Sequence, residues 1–479
     1  MSTPIFFWFR QDLRTHELPG LAAAAATGRP LIACYILDDE TPGDWRLGGA
    51  SRWWLHHSLQ ALAETLEGLG GKLILRSGET GVVLDELINE SGADTVYCSQ
   101  HFEPWGVDLE QRLHSDFEQR DLTIRRFPGL LLFQPGTVLN QSGLPFKVYT
   151  PFWRACRANG APPPPKPCPA TFIWHEGCAS DSLDAWSLCP SKPDWAAGWA
   201  DLWQPGEAGA SRRLEVFFDG PILDYSKGRD HPALDCTSRL SPHLRFGEIS
   251  PREIWGQTER WKSEQPQHGA AADKFLSELG WREFSYHLLY HFRAIPEKPF
   301  KQQFEPFPWL GRQDSLQAWQ QGMTGYPIVD AGMRELWHTG YMHNRVRMVV
   351  ASFLTKHLLT HWRAGEDWFW DTLLDADLAN NACSWQWVAG SGADAAPYFR
   401  IFNPVAQGEK FDKAGEYVRR WVPEIARLPD KFLHRPWETP ADILEACGIS
   451  LGDSDPEPIV DHKSAREAAL AAYGSIKAA

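Results

Sequence analysis

The chain has 479 residues, 43% of them hydrophobic, with 61 acidic against 47 basic side chains and a net charge of −14. That length accommodates two or three domains with sizeable cores, and the acidic excess opposes a nucleic-acid partner held by overall charge, leaving only a local basic groove for that role. No run of about 18 apolar residues suits a membrane span, and the nine cysteines, at 34, 98, 156, 168, 178, 189, 236, 383 and 447, form no CxxC, which opposes a disulfide framework or zinc site and fits a reducing cytoplasm.

The first 130 residues alternate between two kinds of segment. Residues 4–10 (PIFFWFR), 30–37 (PLIACYIL), 72–77 (KLILRS), 94–99 (DTVYCS) and 122–127 (LTIRRF) read as short buried strands. Between them, residues 51–70 and 108–121 have helical period. Strand–helix alternation with nearly continuous apolar strands predicts a doubly wound, five-stranded parallel sheet of Rossmann-like type, covered on both faces. The first residues, MSTPIFFWFRQDLR, lack a basic n-region followed by an apolar h-region and a small-residue cleavage site, and read as a first strand and not as a signal peptide; no GxGxxG follows that strand. Residues 131–205 lose period; APPPPKPCP at 161–169 marks an interdomain connector whose tryptophans place it on the surface of one domain rather than free in solvent. Residues 206–479 are predicted to be an all-α domain, with helical period over 274–292, over the whole of 331–359, and around LLDADLANNA.

The composition stands out for 24 tryptophans, large side chains whose N–H needs a partner when buried. On the 274–292 helix, Glu278, Trp281, Arg282 and Ser285 share one stripe, where Glu278 and Arg282 alone would read as a surface ion pair. On a second helix, Asn344, Arg347 and Met348 share a face. Asp375, Asp377 and Asn381 fall within two turns, with Trp385 and Trp387 following, and a buried acid there needs a cation, for which Arg347 is the candidate for Asp375. TSRLSPHLRFGEIS, 237–250, sets hydroxyls and an arginine before a helix start, suited to a phosphate or to a plain cap. His287 and His291 form HxxxH without the glutamate of a zincin, and there is no GxSxG, P-loop or clustered Cys/His. Acids, amides, arginines and indoles suit a flat, polar-edged redox molecule better than hydrolysis.

WFRQDLR (8–14), TSRLSPHLRFGEIS, FLSELGWREF (275–284), GYMHNRVRM (340–348), DADLANNACSWQWVAGSGADAAPYFRIFNP (375–404) and QGEKFD (407–412) occur in this order. On them, the sequence resembles the DNA photolyase/cryptochrome family along nearly its whole length, most like bacterial cyclobutane pyrimidine dimer photolyases. The resemblance implies an α/β domain (1–130), a connector (131–205) and a helical domain (206–479) that binds FAD and DNA. It implies flavin contacts from Tyr225, Thr237, Ser238, Arg239, Leu240, Ser241, Phe275, Glu278, Arg282 and Asn344, an Arg347–Asp375 pair at the ring edge, Asp377 on the ring's polar edge, and Asn381 facing N5, where plant light receptors tend to carry aspartate. It assigns Trp281 and Trp387 to the faces of a flipped-out dimer, Met348 and Asn344 to dimer contacts, and Arg229, Arg345, Arg400 and Gln407 to the DNA strand. Trp385, Trp362 and Trp309 match the electron-transfer chain, and with Glu278 and Asn381 complete the expected catalytic set. The implied reaction is carbon–carbon bond cleavage by an electron that light drives from reduced FAD to the dimer and that then returns. The alternative is a blue-light receptor without repair activity.

The resemblance further implies an antenna chromophore. Phe102, Glu103, Pro104 and Trp105 stand where many folate-binding relatives carry an Asn-Glu pair, whereas RWWLHH at 52–57 is more like the bacterial class III photolyases. The expectation is methenyltetrahydrofolate stacked near Trp53 or Trp54, with helix packing on the sheet as the competing role for these indoles. No metal is expected. The expected partner is single- or double-stranded DNA containing pyrimidine dimers, bound by a monomer in the cytoplasm, at the nucleoid when on DNA.

Overall fold

The computed structural model describes residues 2–394, 399–453 and 456–478. Strands β1 (Ile5–Phe9), β2 (Leu31–Leu37), β3 (Leu73–Ser77), β4 (Thr95–Ser99) and β5 (Thr123–Phe127) form one parallel sheet in the order β3-β2-β1-β4-β5. Each lies inside an expected run. β1, β2 and β4 are buried at every residue, as a sheet covered on both faces requires. The edge strand β5 is buried only at Ile124.

Helices α1 (Pro19–Ala26), α2 (Gly49–Gly68), α3 (Thr80–Ser91) and α4 (Pro104–Gln119) alternate with the strands. Phe6, Trp8, Ile32 and Val96 of the inner strands share an apolar core with Leu84 and Leu87 of α3 and Leu109 and Leu113 of α4. Strand order reverses beside β1, the switch point of a doubly wound sheet.

The WFRQDLR stretch leaves β1 at that switch point, and its arginines hold the fold. Arg10 pairs with Glu110 at 2.6 Å, donates to the Ser99 carbonyl and lies 4.5 Å from the Trp8 ring centroid. Arg14 is buried and donates to the carbonyls of Glu17 at 2.9 Å, Gly129 at 2.9 Å and Gly247 at 2.8 Å. A buried guanidinium is tolerated only when its donors are used in this way. Gly247 has φ +67°, and a Cβ there would lie 2.0 Å from the Gln11 carbonyl oxygen, so the approach requires glycine.

Packing divides the chain into two compact units: Met1–Leu223 with Ser238–Arg293 and Leu374–Asp377, and Asp224–Thr237 with Ala294–Leu373 and Leu378–Ala479. These divisions differ from the expected ones at 130 and 205. The stretch from 131 to 205 is mostly irregular and is pinned to the sheet. Leu31 N–H donates to Ile173 O at 2.7 Å, Asp181 N–H to Leu75 O at 2.8 Å, and Trp174 Nε1 to Leu69 O at 2.9 Å. This segment contains α5 (Tyr149–Ala158), which is absent from the sequence expectation. It has only ten residues, with Pro151 in its first turn and a buried stripe of Tyr149, Phe152 and Cys156.

Further helices, each of at least five residues, include α6 (Glu207–Phe218), α7 (Pro221–Gly228), α8 (Ser241–Arg245), α9 (Pro251–Glu264), α10 (Gly269–His291), α11 (Gln313–Gln321), α12 (Pro327–Thr339), α13 (Asn344–Ser352), α14 (Trp362–Thr372), α15 (Leu378–Ala389), α16 (Pro404–Phe411) and α17 (His462–Ala478). Two expectations are corrected. Residues 331–359 are not one helix: Gly340, at φ +66°, ends α12, and the His343 side chain accepts from Arg345 N–H to start α13. A five-residue π-helical stretch, Phe353–His357, follows. Asp375 and Asp377 are not helical either, because α15 begins only at Leu378. No helix among the described residues is long and apolar enough to cross a membrane.

Candidate functional site

In the sheet-bearing unit, α10 carries four expected residues, and tertiary neighbours separate their roles. Phe275 is buried against Phe217, with centroids 4.6 Å apart. Glu278 pairs with Lys274 at 2.9 Å rather than with Arg282. Arg282 donates to Leu130 O at 2.9 Å, meets Glu283 at 3.5 Å and lies 4.9 Å from the Tyr286 centroid. Trp281 is half-buried, with the Tyr149 ring stacked on it at 3.8 Å and 11°.

Two neighbours on α10 were not singled out from sequence. Tyr286 donates its hydroxyl to Asp377, the residue just before α15, and burial pushes the phenol well above its usual range, with the Asp377 charge adding to it. Glu283 accepts the Leu132 and Phe133 N–H groups at 2.9 and 3.1 Å, and burial pushes its carboxyl up to about 7. Tyr286 continues the stripe one turn past Arg282, the only sequence signal that marks it.

Ser238 O accepts from Arg213 Nε at 3.0 Å, and Arg239 has φ +50°, a left-handed conformation uncommon for a side-chain-bearing residue. Leu240 is buried and Ser241 is exposed at the start of α8. Farther on, Glu248 accepts from Trp54 Nε1 at 2.9 Å and contacts His243 Nδ1. Trp54 is 0% exposed and ringed by Trp203 and His243 at 5.6 and 5.0 Å. Trp53 is buried against Trp199 and His57 at 5.4 and 4.5 Å. Both rings thus pack against protein, Trp54 more completely than Trp53. Asp375 lies half-buried in the turn before Asp377.

In the helical unit, Arg229 lies 5.5 Å from the Tyr225 centroid, and Thr237 is half-buried. On α13, Asn344 is exposed and Met348 half-buried. Arg345 pairs with Asp230 at 2.9 Å and covers the Phe411 ring at 4.4 Å, so its charge is already countered. Arg347 donates to Met342 O at 2.7 Å. His343 stays neutral, since burial pushes its imidazole down to about 4. Arg400 is exposed beside Phe402, Gln407 is half-buried on α16, and Trp387 donates to Asp394 O at 3.1 Å. Residues 395–398, part of the small-residue run after Trp387, lie outside the described residues.

Helix α15 packs on α14. Asn381 Nδ2 donates to the Glu366 carbonyl at 2.9 Å. The Glu366 side chain is 0% exposed with no partner for either carboxylate oxygen, and burial pushes it well above the usual range. An ionised carboxylate in that position would be very costly, so the group is a neutral acid. Trp385 is 2% exposed and lies so close to Gly365 that a Cβ there would be 2.1 Å from its Cη2. Gly365 is one turn along α14 from Trp362, itself 1% exposed. His361 then bridges Trp362 and Trp309, at 5.4 and 5.1 Å. Trp309 is only partly buried. The indoles thus run from buried to accessible, and Gly365 and His361 are the members that sequence reading missed.

The donor set suits FAD. Side-chain hydroxyls beside a helix start are of the chemistry that takes phosphates and a ribityl chain, and a carboxylate and an amide are of the chemistry that takes the edge of a flavin ring.

Residues 5–170 match the family described as DNA photolyase, and residues 275–475 match the FAD binding domain of DNA photolyase. A deoxyribodipyrimidine photo-lyase of Agrobacterium fabrum is 50% identical over 99% of this chain and 98% of that protein. The chain belongs to the DNA photolyase family. The crystal structure of a bacterial class III photolyase from Agrobacterium tumefaciens superposes with a TM-score of 0.95 at 49% identity, covering 100% of this chain and 98% of that one. Cryptochrome-1 of Arabidopsis thaliana is 38% identical over 95% of this chain, which spans 67% of that protein.

Two predictions follow from helices α14 and α15. Gly365→Ala should displace Trp385 and slow the light-driven bleaching of oxidised flavin without changing flavin content; an unaltered rate would contradict the placement. The second concerns Glu366, whose pKa is raised in the fold. Its contribution to stability is complete below the unfolded carboxyl pKa, about 4.3, and is lost as pH rises toward the folded value. Glu366→Gln cannot ionise, so its thermal midpoint should gain on wild type as pH is raised above about 5. Parallel pH profiles would show that Glu366 ionises freely.

Proposed function

We propose that the chain repairs cyclobutane pyrimidine dimers in DNA under blue or near-UV light. Its similarity to the Agrobacterium photo-lyase over essentially the whole of both chains supports this most strongly. Reduced FAD, when bound, would supply the light-driven one-electron chemistry that opens the dimer.

The chain's own residues bind and orient. Tyr225, Thr237, Ser238, Arg239, Leu240 and Ser241 hold the phosphate and ribityl end. Phe275, Glu278, Arg282 and Asn344 line the cofactor, Arg347 and Asp375 flank the ring edge, and Asp377 and Asn381 address its polar atoms. The Asn381–Glu366 hydrogen bond fixes the amide on that side. Trp281 and Trp387 each offer a stacking face to a flipped-out dimer, and stacking on an indole returns about 1–3 kcal/mol per base, offsetting the few kcal/mol of unstacking. Met348 touches the lesion, and Arg229, Arg345, Arg400 and Gln407 track the strand. With Arg345 neutralised by Asp230, recognition leans on stacking more than on charge. Trp385, Trp362 and Trp309 carry electrons inward to oxidised flavin.

The chain acts on DNA as a cytoplasmic monomer. An antenna, methenyltetrahydrofolate, would lie near Trp53 or Trp54 at the start of α2.

The deciding assay is repair of an oligonucleotide carrying one thymine dimer, by wild type and Trp281→Ala, under light of one intensity. Wild type should repair it, and the variant should require on the order of tenfold more substrate for the same rate. Equal repair by both would remove Trp281 from the lesion site; flavin binding without repair would point to a light receptor.

A further inference from the structure

We propose that Tyr149 is a positioning residue for lesion recognition: stacked on the back of Trp281, it fixes the indole against which a flipped-out dimer lies. This rests on the assignment of Trp281 to lesion stacking made above.

The Tyr149 and Trp281 rings are nearly parallel, at 3.8 Å and 11°. Tyr149 is buried while Trp281 is half-buried, so the indole is the outer layer. The phenol cannot turn freely. Its hydroxyl donates to Ser277 O at 2.6 Å and lies 2.9 Å from Ser277 Oγ. Ser277 is one turn before Trp281 on α10, so the same helix that carries the indole also anchors the ring behind it.

A third layer backs the second. Trp153, one turn along α5 from Tyr149, is parallel to it within 13° at 6.4 Å. Its ring lies on Gly280, where a Cβ would come 2.5 Å from Trp153 Cε3. Phe284 closes the side, edge-on to Trp281 at 6.0 Å. Trp153, Tyr149 and Trp281 therefore form a stack that leans on bare helix backbone, with its outer face formed by the indole. An indole held this way has lost rotamer freedom before DNA arrives, and the entropy of ordering it does not fall on the binding step. A flat aromatic backing serves this purpose. The ring itself makes the contact, held flat between the Trp281 indole and Trp153.

The test uses the full-length flavin-loaded protein as wild type, Tyr149→Ala, Tyr149→Phe and Trp281→Ala. Dissociation constants are measured in the dark for a dimer-containing oligonucleotide and its undamaged counterpart, and repair per absorbed photon is measured at saturating substrate. Tyr149→Ala should weaken dimer binding on the order of tenfold, leave undamaged-DNA binding, flavin content and saturated repair unaltered, and be rescued by Tyr149→Phe. Wild-type dimer affinity in Tyr149→Ala, with Trp281→Ala impaired, would overturn the role of Tyr149. Equal loss for damaged and undamaged DNA, or loss of flavin, would reduce Tyr149 to a structural role and also overturn it. No effect in Trp281→Ala would sink the lesion-site assignment itself, and the proposal with it.

Discussion

The helical unit is organised by one steric fact: the Trp385 ring occupies the space that a side chain at residue 365 would fill. This lets α15 approach the backbone of α14, and the approach has three consequences. It sets Trp385 over the helix that begins with Trp362. It brings Asn381 within hydrogen-bonding distance of the Glu366 carbonyl. It also seals the Glu366 side chain from solvent, so that a titratable group remains neutral in the protein interior. Helix α15 then presents an amide and two indoles at fixed heights, each with its own neighbours. Spacing within the sequence would not separate Trp385 from Trp387, but packing does. The first is buried against Gly365 and Phe369, and the second is half-buried and donates to Asp394.

The sheet-bearing unit is organised differently, by buried charge. Arg10 and Arg14 tie strand ends and loops through carbonyls and Glu110. Glu283 holds the Leu132–Phe133 segment to α10. Arg10 and Arg14 have hydrogen-bonding partners that offset their desolvation, whereas burial outweighs the two backbone donors to Glu283. The consequence for function is that several arginines in the family motifs are structural. On a chain with net charge −14, these buried arginines add no free cation to the surface.

Local pattern carried the five strands because each apolar run is short, bounded by polar residues and rich in β-branched or aromatic side chains. It failed where tertiary structure decides. The apolar period of 331–359 continues through Gly340 and His343, although the backbone turns there. Helix α5 is too short, with Pro151 near its start, to rise above the irregular stretch around it. Trp54 donates to Glu248, a partner 194 residues away in the chain that local pattern does not show. Glu366 sits among Arg363 and Asp367 and reads as an exposed helix charge, although both its oxygens are buried without partners. Of the site, the residue types were legible from the resemblance; which of them are already engaged by protein was not.

Repair requires that bound flavin receive light and that this light be used on DNA. The most direct measurement is the action spectrum for repair of a thymine-dimer oligonucleotide by the purified chain, taken one wavelength at a time with a dark control. Repair should require light and follow the absorption of the bound chromophores across the near-UV and blue. Repair in the dark, or a flavin-bearing protein that leaves the dimer intact at every wavelength, would contradict the account.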